Sequence, residues 1–248
     1  MTSSYLFVRS QDRSIGTSSA FSVTLPTPYR NVRSVSLVSC ELPFALYNVD
    51  VPYTQGVRFA HNSVIYDMSL TAGFYQITDL QSAMFSNLQT AFPSAGISSV
   101  LYSAITGKLS IVYSSGLSFA AASSSAGMLG RIIGTDPLGS TTLAAGGVLS
   151  FPYLVSLFPV STILMKVAEL PSQCATTNNT HAFARLQLSS TPGSIVMHNV
   201  GTSVINTSTF SNPIPTLSTL TISLFTADNQ AISLHGCEWS FALLIQAN

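Results

Sequence analysis

Apolar and polar residues alternate with a period of two along most of the chain, the pattern of strands that bury one face. Phe21, Val23 and Leu25 alternate with Ser22 and Thr24 as far as Pro26. In the next run Val35 and Leu37 fall on one face, and Val38, Cys40 and Leu42 on the other. Pro43 closes that run, because proline donates nothing to a ladder. Residues 57–70 read as a strand pair, or one long strand, broken near Asn62.

The period then changes. Thr78-Asp79-Leu80-Gln81 has the form of a capping box, with Thr78 at the cap. Leu80, Met84 and Leu88 follow at helical spacing with Phe85 and Phe92 beside them, and Pro93 ends the helix. The Met and Phe stripe reads as core. Beyond it, residues 100–105 and 108–113 flank Thr106-Gly107, a two-residue hairpin turn with Gly107 at positive φ. Ser123 to Leu129 reads as a short helical turn, within a Ser/Gly-rich stretch from Gly116 to Ser150.

The second half returns to period two. Runs at 163–170, 182–188, 195–198 and 217–225 are separated by proline, glycine and Asp228-Asn229 turns, with a short run at 232–234. In the last run Trp239, Phe241, Leu243 and Ile245 alternate with Ser240, Ala242, Leu244 and Gln246. Both of its faces are largely apolar, which places it in the middle of a sheet. Eight to ten strands with one helix predict an all-β sandwich, and about eight strands in two antiparallel sheets is the jelly-roll arrangement. The expected organisation is an N-terminal arm at 1–19 and one jelly-roll domain at 20–248. Its insertion, about 73–134, carries the helix and a hairpin.

Composition changes the picture at one point. Charged residues make up 7% of the 248 residues, against about 25% in an average soluble domain. Ser and Thr stand where Lys and Glu usually stand, and the formal net charge is +0. Dispersed charge keeps proteins apart in solution. Such a chain is either an unusual monomer or a subunit whose surface its neighbours cover, and the composition favours the second. Arg9, Arg13, Arg30 and Arg33 are scattered and form no basic stripe for nucleic acid. No secretory signal pattern opens the sequence. The stretch 143–167, with no charge between Asp136 and Lys166, is interrupted by Gly146, Gly147, Pro152 and Pro159, so it reads as a broken connection and not a membrane span. Cys40, Cys174 and Cys237 are too few for a disulfide framework and fit a reducing compartment.

Candidate chemistry is sparse. Gly107-Lys108 lacks the upstream glycine of a phosphate loop and is followed by Leu109. His235-Gly236-Cys237-Glu238 has no second Cys/His pair at zinc spacing and reads as a turn into the last strand. Glu41 and Glu169 each precede a Leu-Pro that ends a strand, but sequence cannot bring them together. A dyad of His with Cys40, Cys174 or Cys237 has no local support, and a small buried cysteine is the default. No catalytic, cofactor-binding or metal-ligating residue is assigned, no cofactor is expected, and the chain is not expected to be an enzyme.

Several segments, in order, resemble the minor capsid proteins of virophages, polinton-like viruses and related large DNA viruses. Phe21 to Leu25, Asn31 to Pro43 and Tyr47-Asn48-Val49 resemble their opening. Gly73-Phe74-Tyr75 with the helix after it, Thr106 to Ile111 and Met128-Leu129-Gly130 resemble their middle. Leu217 to Leu224, Asp228-Asn229 and His235 to Ile245 resemble their closing hairpin and last strand. The resemblance implies a jelly roll with a structural role, resembling a penton more than a double jelly-roll hexon protein. It implies a homopentamer at an icosahedral vertex. The implied partners are copies of itself, the major capsid protein and other minor capsid proteins, with no specific nucleic acid. The implied location is the virion, assembled in the host cell interior. Another minor capsid or cement protein is the alternative within the same shell. From a different class, a carbohydrate- or receptor-binding jelly roll would want exposed aromatics around a pocket, with Tyr47, Tyr53, Tyr75 and Trp239 as candidates.

Overall fold

The computed structural model describes residues 2–50, 57–119, 132–134, 147–158, 160–172, 174–177, 180–199 and 207–247. In chain order the strands begin with β1 (Thr2–Arg9), β2 (Ile15–Gly16) and β3 (Ala20–Pro43). Then come β4 (Val57–His61), β5 (Val64–Met68), the helix α1 (Ile77–Ala91), β6 (Ser99–Ser103), β7 (Lys108–Tyr113), β8 (Leu117–Phe119) and β9 (Gly147–Ser150). The chain closes with β10 (Thr162–Val167), β11 (Cys174–Ala175), β12 (His181–Ala182), β13 (Ala184–Gln187), β14 (Ile195–Asn199), β15 (Thr207–Thr226) and β16 (Ser240–Ala247). The fold is all-β of the jelly-roll class, with antiparallel sheets and one α-helix among the described residues. It divides into two compact units, Met1–Leu46 with Val160–Asn248, and Tyr47–Pro159.

The first unit is a curled eight-stranded sheet in the order β1-β16-β3-β15-β10-β13, with β14 and β2 also paired to β3. Two long strands run through it. The C-terminal half of β3 pairs with β16 and β14, and its N-terminal half pairs with β2 and the end of β15. Their regularity is interrupted at Asn31, which has φ 50, and at register shifts between Thr209/Ile214 and Leu217/Thr219. Pro26 and Pro28 fall between the paired blocks Ser22–Thr24 and Tyr29–Arg30, where no ladder bond is lost. Pro26 therefore does not end the strand as the sequence pattern suggests. Inward residues of both halves share one core that includes Phe21, Val23, Val35, Leu37, Ile222, Phe241, Leu243 and Ile245.

Residues 35–42 depart from simple alternation. Val35, Leu37, Cys40 and Leu42 are all buried, although period two splits them between faces. The cause is a register shift between Ala242/Leu243, which pair with Ser39 and Leu37 and leave Val38 as the extra residue. A bulge of this kind flips the alternation by one position. The segment expected as an arm, 1–19, also behaves differently. Thr2–Arg9 pairs with β16 along its whole length, Val8 is buried, and Ile15–Gly16 pair with β3. The first strand alternates Leu6 and Val8 with Tyr5 and Phe7, a half-buried pattern that Thr2, Ser3 and Ser4 obscure.

The second unit is built locally. Asn62 and Ser63, at φ 48 and 65, form the turn between β4 and β5; two successive positive φ values match the strand twist. Leu80, Met84 and Leu88 are buried on one face of α1, as expected. Its cap is Gln76 and not Thr78: the Asp79 carboxylate accepts the Gln76 N–H at 3.2 Å, which satisfies an orphan donor of the first turn. The β6–β7 turn holds four residues, since Ser103 pairs with Lys108. Ser103 Oγ accepts the Thr106 N–H at 3.2 Å, and Gly107 takes φ 64. The Ser123 to Leu129 turn lies outside the described residues. Among the described residues no helix is long and apolar enough to cross a membrane.

Candidate assembly surface

The groups considered for chemistry do not converge. Glu41 accepts the Ser240 hydroxyl at 3.3 Å, and Glu169 accepts the Thr221 N–H at 2.8 Å, so each carboxylate serves the backbone or hydroxyl beside it. The ladder sets His198 directly opposite Cys40, a pairing that sequence spacing could not show. Burial, helped by the neighbouring Glu41 charge, pushes the Cys40 thiol up to about 12. A thiol held protonated inside a core is a poor nucleophile. Burial pushes His198 down, and its Nε2 has no hydrogen-bond partner. Among the described residues no group of three or more His, Cys, Asp or Glu is placed to hold a metal ion.

Glu238 has a structural task. Its carboxylate accepts the Ser10 hydroxyl and, at 2.8 Å, the Arg13 guanidinium, which together hold it below the usual carboxylate range. Buried Ser10 also accepts the Trp239 N–H at 2.9 Å and donates its own N–H to the Trp239 carbonyl at 2.8 Å. Trp239 itself is buried, with its indole N–H donated to the Ser18 carbonyl at 2.6 Å. These bonds fasten the end of β1 to the start of β16. Trp239 is therefore not part of an aromatic binding platform. Tyr53, the second aromatic of that expectation, lies outside the described residues, and Tyr75 donates its hydroxyl to the Thr71 carbonyl at 2.9 Å.

The outward sheet faces carry the unusual chemistry. In the first unit, cross-strand rows run Tyr5–Leu244–Ser36–Thr207 and Phe7–Ala242–Ser39. A further row, Arg9–Ser240–Glu41–Met197, puts the charges at one end. Tyr5 is 73% exposed, Phe7 61% and Met197 63%. Hydroxyls also bond across strands: Ser36 Oγ and Thr207 Oγ1 lie 2.8 Å apart, and in the next row, opposite Ser3, buried Ser34 donates to Gln246 at 2.7 Å. Such pairs are the sheet's substitute for charge pairs. In the second unit the outward rows are Leu101–Ser110–Ser150 and Ser99–Val112–Val148, with Lys108 at the end. At the tip of that hairpin Ile105 is 98% exposed.

The β1-β16-β3 face of the first unit and the β6-β7-β9 face of the second are thus serine-and-aliphatic with charge at their margins, while the charges of the other faces include Lys166 on β10 and the Arg58–Asp67 pair across β4 and β5. Single exposed apolar residues are ordinary, but grouped ones mark contact surfaces. The sequence signal for them was the charge deficit; the rows themselves needed the register.

No family model matches the chain, and no curated protein matches it. Among solved structures, the crystal structure of selenomethionine-labelled mavirus penton protein aligns over 100% of both chains, with 12% identity and a TM-score of 0.47. A likeness that distant carries no argument about function.

Proposed function

We propose that the chain is a structural capsid protein, not an enzyme. In this reading it is a penton that forms homopentamers at icosahedral vertices and touches the major and other minor capsid proteins around it, in the virion. The observation that carries the reading is the pair of uncharged outward faces, Tyr5–Leu244–Ser36–Thr207 in one unit and Leu101–Ser110–Ser150 in the other. Hydroxyl and aliphatic surface costs little to bury against a neighbour, whereas each buried charge needs a partner. A ring of identical subunits uses a heterologous contact that closes. The jelly-roll class and the sequence resemblance to minor capsid proteins agree with this role.

Imaging of virions labelled with an antibody to this chain tests it. Label at the five-fold vertices is the expected result. Label elsewhere on the shell would favour a cement protein, and virions without label would overturn the capsid role.

A further inference from the structure

Among the described residues the outer edge of β1 is open. β1 ends the order of the large sheet and, among those residues, pairs on one side only, with β16. It runs eight residues, Thr2–Arg9, with no proline, and its first charge is Arg9 at the end. Natural edge strands are commonly short, charged or bulged, which stops them pairing with other chains. The other edges here follow that practice better. β13 has four residues and includes Arg185, and β5 has five and includes Asp67. The chemistry that completes a bare edge is another extended backbone, since only that matches the alternating N–H and C=O row.

We infer that β1 pairs antiparallel with β1 of a second copy of this chain, centred on Leu6. Three observations select this occupant. Tyr5 and Phe7 stand on the outer face, while Leu6 packs against the core and Val8 is buried, so the two faces differ. A self-pairing must keep each face with itself, and that requires the centre to fall on a residue and not between two. Centring on Leu6 sets Tyr5 of each copy opposite Phe7 of the other, two aromatic cross-strand pairs. Centring on Tyr5 instead would set Phe7 against Ser3. The Leu6 register is also electrostatically clean. Arg9, already 2.7 Å from Asp12, meets Ser3 of the second copy and no like charge.

This pairing is isologous, joins copies two at a time, and does not depend on the capsid reading. This contact is made by the backbone edge of β1, whereas a ring would bury the outward faces to which Tyr5 and Phe7 also belong, so paired edges would link two rings and the cross-link below reports the edge alone. Sedimentation of the full chain, with and without Tyr5→Lys and Phe7→Lys together, tests the contact. Both positions are exposed, so an unchanged circular dichroism spectrum is expected. The pairwise association should weaken at least tenfold. Association that is absent in the unsubstituted chain, or unchanged in the variant, overturns the inference. A cross-link tests the register independently. In a Cys237→Ser background, Leu6→Cys should give a disulfide-linked pair of chains under mild oxidation, and Tyr5→Cys alone should not. No pair with Leu6→Cys, or equal yield at both positions, overturns it, and neither result bears on whether a ring forms.

Discussion

The two units reach stability by different routes. In the first, ladders close over nearly the whole chain: Thr2 pairs with Ala247, Phe21 with Ile222 and Ser36 with Leu244. In the second, most partners lie close in sequence. His61 pairs with Val64 and Ser103 with Lys108, while Gln81 reaches the Val100 carbonyl at 2.9 Å from within α1. Local closure costs less chain entropy and forms faster. The difference teaches that residues 47–159 can organise from their own neighbours, whereas the curled sheet needs both chain ends in place.

The sharpest way to break the comparison is to empty each core. Phe241→Ala should destabilise the first unit by about 3–5 kcal/mol, and Leu88→Ala the second by about 2–5 kcal/mol. Hydrogen exchange separates them. Phe241→Ala should release amides of β3 and β16, and Leu88→Ala those of α1 and β6. Release of the same amides by both variants would show one cooperative body and end the distinction.

The next effect concerns the fastening that only the first unit needs. Ser10→Ala removes the Glu238 contact and leaves the Trp239 N–H without its acceptor. Stranding a buried donor costs about 1–3 kcal/mol. Urea denaturation should show that loss; an unchanged midpoint would mean that β1 is held by its ladder alone.

Acid should act on the first unit in two stages. Burial depresses His198, so its neutral form belongs to the native state. That stability is present above the unfolded value, about 6.5, and is lost as pH falls through the lower folded value. Glu238 is depressed by Ser10 and Arg13. Its contribution is present above about 4.3 and is lost as pH falls further. Both groups make the unfolded state bind more protons, so stability falls with acid. His198→Gln should flatten the upper stage and leave the lower one. A pH profile identical to the unsubstituted chain would contradict this assignment.

The smallest effect is expected from Arg58→Ala, which breaks an exposed ion pair to Asp67 across β4 and β5. Exposed pairs contribute little. A shift in denaturation midpoint larger than that of Ser10→Ala would mean that the second unit relies on its few charges.

Much of the fold was legible because the elements obey single periods. Leu80, Met84 and Leu88 marked the helix, and Phe241, Leu243 and Ile245 marked a central strand. What escaped depended on contacts outside a local window. The bulge at Val38 put Cys40 and Leu37 on one face only through pairing with β16, more than two hundred residues away. The first strand read as an arm because Thr2-Ser3-Ser4 dilutes its alternation, and its partner is the far end of the chain. The helix cap moved to Gln76 because Asp79, and not Gln81, closes the first turn. The charge deficit pointed to uncharged surface, but which residues present it required the cross-strand rows.

The central claim is that these uncharged faces belong to an assembly of identical subunits. Light scattering after size exclusion, over a dilution series, tests it most directly. Five subunits of 26.2 kDa make a ring of about 131 kDa, and the account predicts that this mass persists on dilution after any paired rings separate. A soluble chain that stays at 26.2 kDa at every concentration would contradict it.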